Sequence, residues 1–145
     1  MRRVVASNRA GKPQVRRCLL ASVSVLSLVL VSVAANAQPS GGAVVAGQAQ
    51  ISVSGATTLI NQTSAKAIIN WQSFSVSQGG SVQFNQPSSS AITLNRVTGA
   101  SASSIEGAIR ANGQVWLLNP NGLLFGNGAT INVGGLLATN SDIAD

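Results

Sequence analysis

Downstream of residue 48 the chain alternates apolar and polar residues with period two, in short runs closed by Gly, Asn, Pro or Ser. The clearest runs are Ala49–Val53, Ala67–Trp71, Ser73–Val76, Ser81–Asn85, Ala91–Asn95, Gln114–Leu118, Leu123–Phe125 and Ala129–Val133. Such alternation gives each segment one apolar face and predicts strands. Gly79-Gly80 and Gly134-Gly135 are expected to supply positive φ at the turns, and Gln86-Pro87 to end a strand, because proline cannot donate to a ladder. Asn119-Pro120-Asn121-Gly122 predicts a tight turn: proline presets φ at the second position, asparagine suits the first and glycine relaxes the last. Ser103 to Ile109 reads two ways. Ser103-Ser104-Ile105-Glu106 has capping-box spacing, but Gly107 opposes a helix, and a strand with Ile105, Gly107 and Ile109 on one side is the better fit.

Short strands with tight corners build a sandwich, a barrel or a parallel β-helix, and composition separates them. After residue 37 the chain holds ten asparagines against six charged residues. In a β-helix each coil lies about 4.8 Å from the next, so like residues form ladders. Asn, Ser, Thr and Gly stack without the repulsion that charges would bring. This composition tips the balance toward an all-β parallel β-helix, with coils of roughly 20 to 25 residues and about four or five of them in this length.

The amino-terminal segment is different in kind. Arg2, Arg3, Arg9, Lys12, Arg16 and Arg17 precede a nearly unbroken apolar run from Cys18 to Ala34. Ala35-Asn36-Ala37 then offers small residues where a signal peptidase reads, with Ala35 and Ala37 at the two positions that matter. Residues 1–37 thus read as a cleavable Sec leader and residues 38–145 as one mature domain. A membrane anchor would need about 20 apolar residues, and Arg16-Arg17 resembles a twin-arginine signal only weakly. Cys18 follows arginines rather than an apolar lipobox. The net charge of +6 belongs to the leader, since Lys66, Arg96 and Arg110 are balanced afterwards by Glu106, Asp142 and Asp145. A nucleic-acid partner has no basic stripe to use.

Catalytic equipment is sparse. The chain has no His and no Tyr, and its one cysteine, Cys18, lies in the leader. Acid-base and nucleophilic mechanisms lack their usual groups, and neither zinc nor calcium finds a ligand set. Gly126-Asn127-Gly128 lacks the lysine of a phosphate-binding loop and reads as a turn. No enzyme activity and no cofactor are expected.

The runs Asn61–Phe74 and Ala111–Gly126, extended by Asn95-Arg96-Val97 and Gly134–Thr139, resemble the two-partner secretion domain. That is the amino-terminal domain of filamentous haemagglutinin-like exoproteins, a family that includes haemolysin-type and contact-dependent inhibition exoproteins of Gram-negative bacteria. The likeness runs from about Ala43 to Ile143. It implies a right-handed parallel β-helix with an amino-terminal cap. It also implies recognition in the periplasm by an outer-membrane transporter with POTRA domains and a β-barrel pore, and a secreted or surface location. Asn119, Pro120, Asn121 and Gly122 match the family's first turn motif. The second, Asn-Pro-Asn-Leu, is not reached, so the domain is expected to be incomplete at its carboxyl end. Asn61, Gln62, Asn70, Trp71, Phe74, Asn95 and Arg96 are the candidate recognition residues.

The resemblance implies the head of a large adhesin or haemagglutinin; the same module could head a contact-dependent toxin, and a β-helical carbohydrate-active protein is the weaker third reading. Host or neighbouring-cell contact would then lie in downstream regions. The leader predicts that amino-terminal sequencing of the exported protein starts at Gln38-Pro39-Ser40; an intact Met1 start would contradict it.

Overall fold

The computed structural model describes residues 37–141. Residues 1–36 of the leader, Ala35 among them, lie outside the described residues, whereas Ala37 is exposed and its carbonyl accepts a hydrogen bond from Ser77 N (2.8 Å). Twelve strands are present among the described residues: β1 (Ala43–Ala46), β2 (Ala49–Ser54), β3 (Thr57–Gln62), β4 (Lys66–Trp71), β5 (Ser81–Asn85), β6 (Ile92–Val97), β7 (Ser103–Ile105), β8 (Ala108–Ala111), β9 (Gln114–Leu118), β10 (Leu123–Phe125), β11 (Thr130–Asn132) and β12 (Gly135–Thr139). They form three sheets, in the spatial orders β2-β3-β5-β8-β11, β1-β4-β6-β9-β12 and β7-β10.

All pairings from β3 onward are parallel, so each sheet is one face of a solenoid of about four turns, a right-handed parallel β-helix. Period-two alternation decides what points inward. Thr58, Val82 and Ile109 stand side by side on one face, as do Ile60 and Phe84. Ile69, Asn95 and Leu117 form the matching inner row of the second face. These rows are buried, and with Trp71, Phe74, Val76, Val97, Ile105 and Val115 they make one core. Burying each such aliphatic or aromatic side chain contributes about 1.5–3 kcal/mol.

The first two strands run the other way. β1 lies antiparallel on β4, and β2 lies antiparallel on β3. They lay a reversed layer of chain over the edges of the first parallel coil, the amino-terminal cap that the family resemblance implies.

Several local expectations change. Ser73–Val76 is not a strand; it carries isolated bridges from Ser73 to Ser40 and from Val76 to Ile105. Its serines serve as a corner, with Ser75 Oγ accepting from Ser104 N at a separation of 29 residues, longer than the expected coil. Of the four glycines expected at positive φ, only Gly79 adopts it (79°), and Gly135 opens β12. Gly107 ends the ambiguity over Ser103–Ile109: it is a corner between two strands, and a Cβ there would come within 2.3 Å of Gly80 O on the preceding coil. Close approach, not unusual φ, is what requires glycine at that point.

The core is not wholly apolar. Gln86 Nε2 shares its two N–H groups among Ala91 O (3.2 Å), Thr93 Oγ1 (3.0 Å) and Gln114 O (2.9 Å), while its Oε1 accepts from Gly113 N (2.8 Å). Thr93 Oγ1 donates onward to Gln62 Oε1, and Gln62 Nε2 donates to Ser64 O (2.7 Å) and Ile92 O (3.1 Å). The chain of amides ties three successive coils at one corner. Gln86→Leu keeps the volume but strands buried partners, and is expected to destabilise the domain by about 3 kcal/mol. Denaturant unfolding measures it, and a variant as stable as the parent would refute the role assigned to the amide.

Candidate functional site

The Asn119–Gly122 motif makes the corner between β9 and β10. Gly122 N donates to Asn119 O (2.9 Å), closing the turn, and Asn121 N donates to Asn119 Oδ1 (2.9 Å). Proline at the second position holds the φ that the turn needs. Gly122 sits at φ 105°, in the region that favours glycine.

Asn119 points inward and is fully buried, at 0% exposure. Its Nδ2 donates to Ser101 O (3.0 Å) and to Ser103 Oγ (2.9 Å), groups of the preceding coil. Its backbone N donates to Thr139 O (3.1 Å) on the following coil. Asn121 Nδ2 reaches back to Gly99 O (2.8 Å), and Ser103 N donates to Gly122 O (3.0 Å). One turn is therefore fastened to the coil before it and the coil after it. Pro120 and Asn121 are the members of the motif exposed to solvent.

The other residues selected from sequence separate by location. Gln62, Trp71, Phe74 and Asn95 are buried. Trp71 Nε1 donates to Asn95 Oδ1 (3.0 Å), and Trp71 meets Phe74 edge-on at 5.5 Å between ring centroids. Asn95 Nδ2 donates to Thr93 O and Trp116 O, each at 3.3 Å. These four residues hold coils together, and in the folded domain they offer no surface to a partner. Asn61 lies on the outer side of its sheet, where its Oδ1 accepts from Asn85 Nδ2 (2.9 Å). Asn70 and Arg96 are neighbours in register on the outer side of the second sheet, both half-buried. The Asn70 Oδ1 is buried without a hydrogen-bond partner.

Sequence reasoning passed over Gln86, Thr93, Ser103 and Asn112. Asn112 exchanges two bonds with the Gln86 backbone, accepting from its N (2.7 Å) and donating to its O (2.6 Å). A signal existed: Gln62 and Gln86 each follow or end a strand at the same corner, and β3 and β5 pair in parallel with Asn61 beside Asn85. Hydrogen bonding and packing are the chemistry available in this arrangement. Among the described residues no three of His, Cys, Asp or Glu come together.

Comparison with known proteins agrees with the geometry. The TPS secretion domain family matches residues 35–145. A heme/hemopexin-binding protein of Haemophilus influenzae strain Rd is 45% identical over 105 residues, which is 72% of this chain and 12% of that protein. A second heme/hemopexin-binding protein of Haemophilus influenzae is 51% identical over 84 residues, covering 58% of this chain and 9% of that protein. The crystal structure of the HMW1 secretion domain from Haemophilus influenzae superposes with a TM-score of 0.70 at 40% identity, over 74% of this chain and 28% of that one. The chain thus spans a small part of the relatives it matches. With the motif corner, the capped parallel solenoid and the match over all described residues in agreement, this chain belongs to the TPS secretion domain family.

Proposed function

We propose that this chain directs a large exoprotein of a Gram-negative bacterium to an outer-membrane transporter with periplasmic POTRA domains and a β-barrel pore. A Sec leader of residues 1–37 takes it into the periplasm first, and signal peptidase removes that leader. The domain proper is residues 38–145. The observation that carries this reading is the family match over residues 35–145, which includes every described residue. The physical character of the chain supports it: no cysteine follows the leader, and few charges do. Nothing locks such a chain before passage, and stacked coils re-form from nearest-neighbour contacts.

The passenger lies outside this segment, and we place an adhesin there, as in filamentous haemagglutinin-like exoproteins. The names of the two Haemophilus relatives favour a second passenger, one that binds heme or hemopexin. Such binding would not reside here. Haem iron takes His, Cys, Met or Tyr as protein ligands, and this chain has no His or Tyr, one Met at position 1 and one Cys at position 18, both in the leader segment.

Deleting Asn119–Gly122 is expected to stop release of the exoprotein into the medium in the presence of its transporter, while leader removal continues. Normal release of the deletion protein would overturn the proposal. Haemin added to the leader-cleaved chain is expected to give the spectrum of free haemin. A shifted Soret band that titrates with protein would show an iron ligand this reading does not contain.

A further inference from the structure

Three Asn-Gly pairs occur in the chain: Asn112-Gly113, Asn121-Gly122 and Asn127-Gly128. Such a pair can react with itself, because glycine has no side chain to keep its backbone nitrogen away from the amide carbon of the asparagine before it. Two groups must be free for this. The side-chain amide has to turn toward the main chain, and the glycine N–H must not be engaged as a donor. A hydrogen bond to either one holds the pair apart.

The first two pairs are held at both groups. Asn112 accepts from Gln86 N (2.7 Å) and donates to Gln86 O (2.6 Å), while the buried Gly113 donates its N–H to Gln86 Oε1 (2.8 Å). Asn121 Nδ2 donates to Gly99 O (2.8 Å), and Gly122 N donates to Asn119 O (2.9 Å). The third pair is held at neither. Asn127 and Gly128 are exposed at the corner between β10 and β11, and neither the Asn127 side chain nor the Gly128 N–H makes a hydrogen bond to another described residue. The turn is closed around them, where Ala129 N donates to Gly126 O (3.1 Å). Packing keeps glycine at this corner: a Cβ at Gly128 would come within 2.6 Å of Glu106 O on the preceding coil, and one at Gly126 would strike the Glu106 carboxylate. The fold therefore excludes the side chain that would shield the nitrogen.

We propose that Asn127-Gly128 is a self-modification site, at which the folded domain converts one asparagine to aspartate and isoaspartate. Gly128 N attacks Asn127 Cγ and gives up its proton; the bond from Cγ to Nδ2 breaks, and the amide nitrogen leaves with that proton as ammonia. Water then opens the cyclic imide at one of its two carbonyls, and the new carboxyl group releases a proton. Opening at one carbonyl gives aspartate. Opening at the other gives isoaspartate, in which the main chain runs through Cγ and is longer by one methylene. Either product places a carboxylate between two glycines that pack on Glu106. The bonds that tie this corner to the preceding coil, Gly126 N to Ile105 O (2.9 Å) and Thr130 N to Gly107 O (3.1 Å), are the ones the longer main chain would loosen.

Peptide mapping by mass spectrometry of the full-length protein, aged at mildly alkaline pH, tests the assignment. The mass gain of an amide-to-acid change, with isoaspartate among the products, is expected at Asn127 in excess of Asn112 and Asn121 by about tenfold or more, the protection that hydrogen-bonded local structure gives the other two. In denaturant the three pairs are expected to convert at similar rates. Asn127→Gln, whose imide ring is larger and closes more slowly, is expected to stay unmodified. Hydrogen exchange at the Gly126 and Thr130 amides is expected to quicken with age in the parent and not in this variant. An Asn127 that stays intact in the fold but converts in denaturant would overturn the proposal, as would Asn112 or Asn121 converting as fast in the fold. A preference for Asn127 that persists in denaturant would place its cause in the local sequence and likewise overturn it. Exchange that changes equally in the aged parent and the aged variant would overturn the loosening of the corner.

Discussion

Most buried polar side chains of this solenoid find a partner on a neighbouring coil, and the rest of the structure depends on those bonds. Main-chain groups pair through the parallel ladders. At the corners the ladders lapse, and side-chain amides take over: Gln62 and Gln86 at one corner, Asn119 at another, with Asn95 inside the second sheet. A buried donor or acceptor left unmatched costs about 1–3 kcal/mol, so an amide that serves two coils couples their folding. Stability is passed from coil to coil.

The same constraint separates what the motif does from what it shows. Asn119 is conspicuous in sequence because it opens a turn, yet its side chain faces the core and is spent on Ser101 and Ser103. Trp71 and Asn95 are likewise paired with each other inside the solenoid. The surface of the described residues carries few charges, and its exposed large apolar side chains are Val45, Val53, Leu124, Phe125, Leu136 and Leu137.

Much of the fold was legible in the sequence because period two and turn residues are local signals. Ser81–Asn85, Gln114–Leu118 and Leu123–Phe125 are strands with the bounds that alternation predicts, and the Asn119–Gly122 turn lies where proline and glycine put it. β1, β3 and β12 are not evident from alternation, and β7 and β8 read as one strand; even the predicted strands carry imperfect patterns. Thr58 and Gln62 are polar residues on the inner face of β3, while Ile68, Leu94 and Trp116 are apolar residues on the outer row of the second sheet. Inner polar positions are set by the neighbouring coil, information that a single run of residues does not hold. Ser73–Val76 failed for the opposite reason: it alternates well, but it is needed as a corner. Gly107 shows the same limit, since its requirement for glycine comes from Gly80 O on another coil.

The central claim is that the turn motif acts from inside the fold. Comparing Asn119→Ala with Pro120→Ala, for both unfolding free energy and release into the medium, tests it most directly. Asn119→Ala is expected to lose about 3 kcal/mol, from the partners it strands, and to lose release with it. Pro120→Ala, at an exposed position, is expected to cost under about 1 kcal/mol and to be released normally. A Pro120→Ala protein that keeps its stability but is not released would contradict the claim, and would mean that the transporter reads the surface of the turn itself.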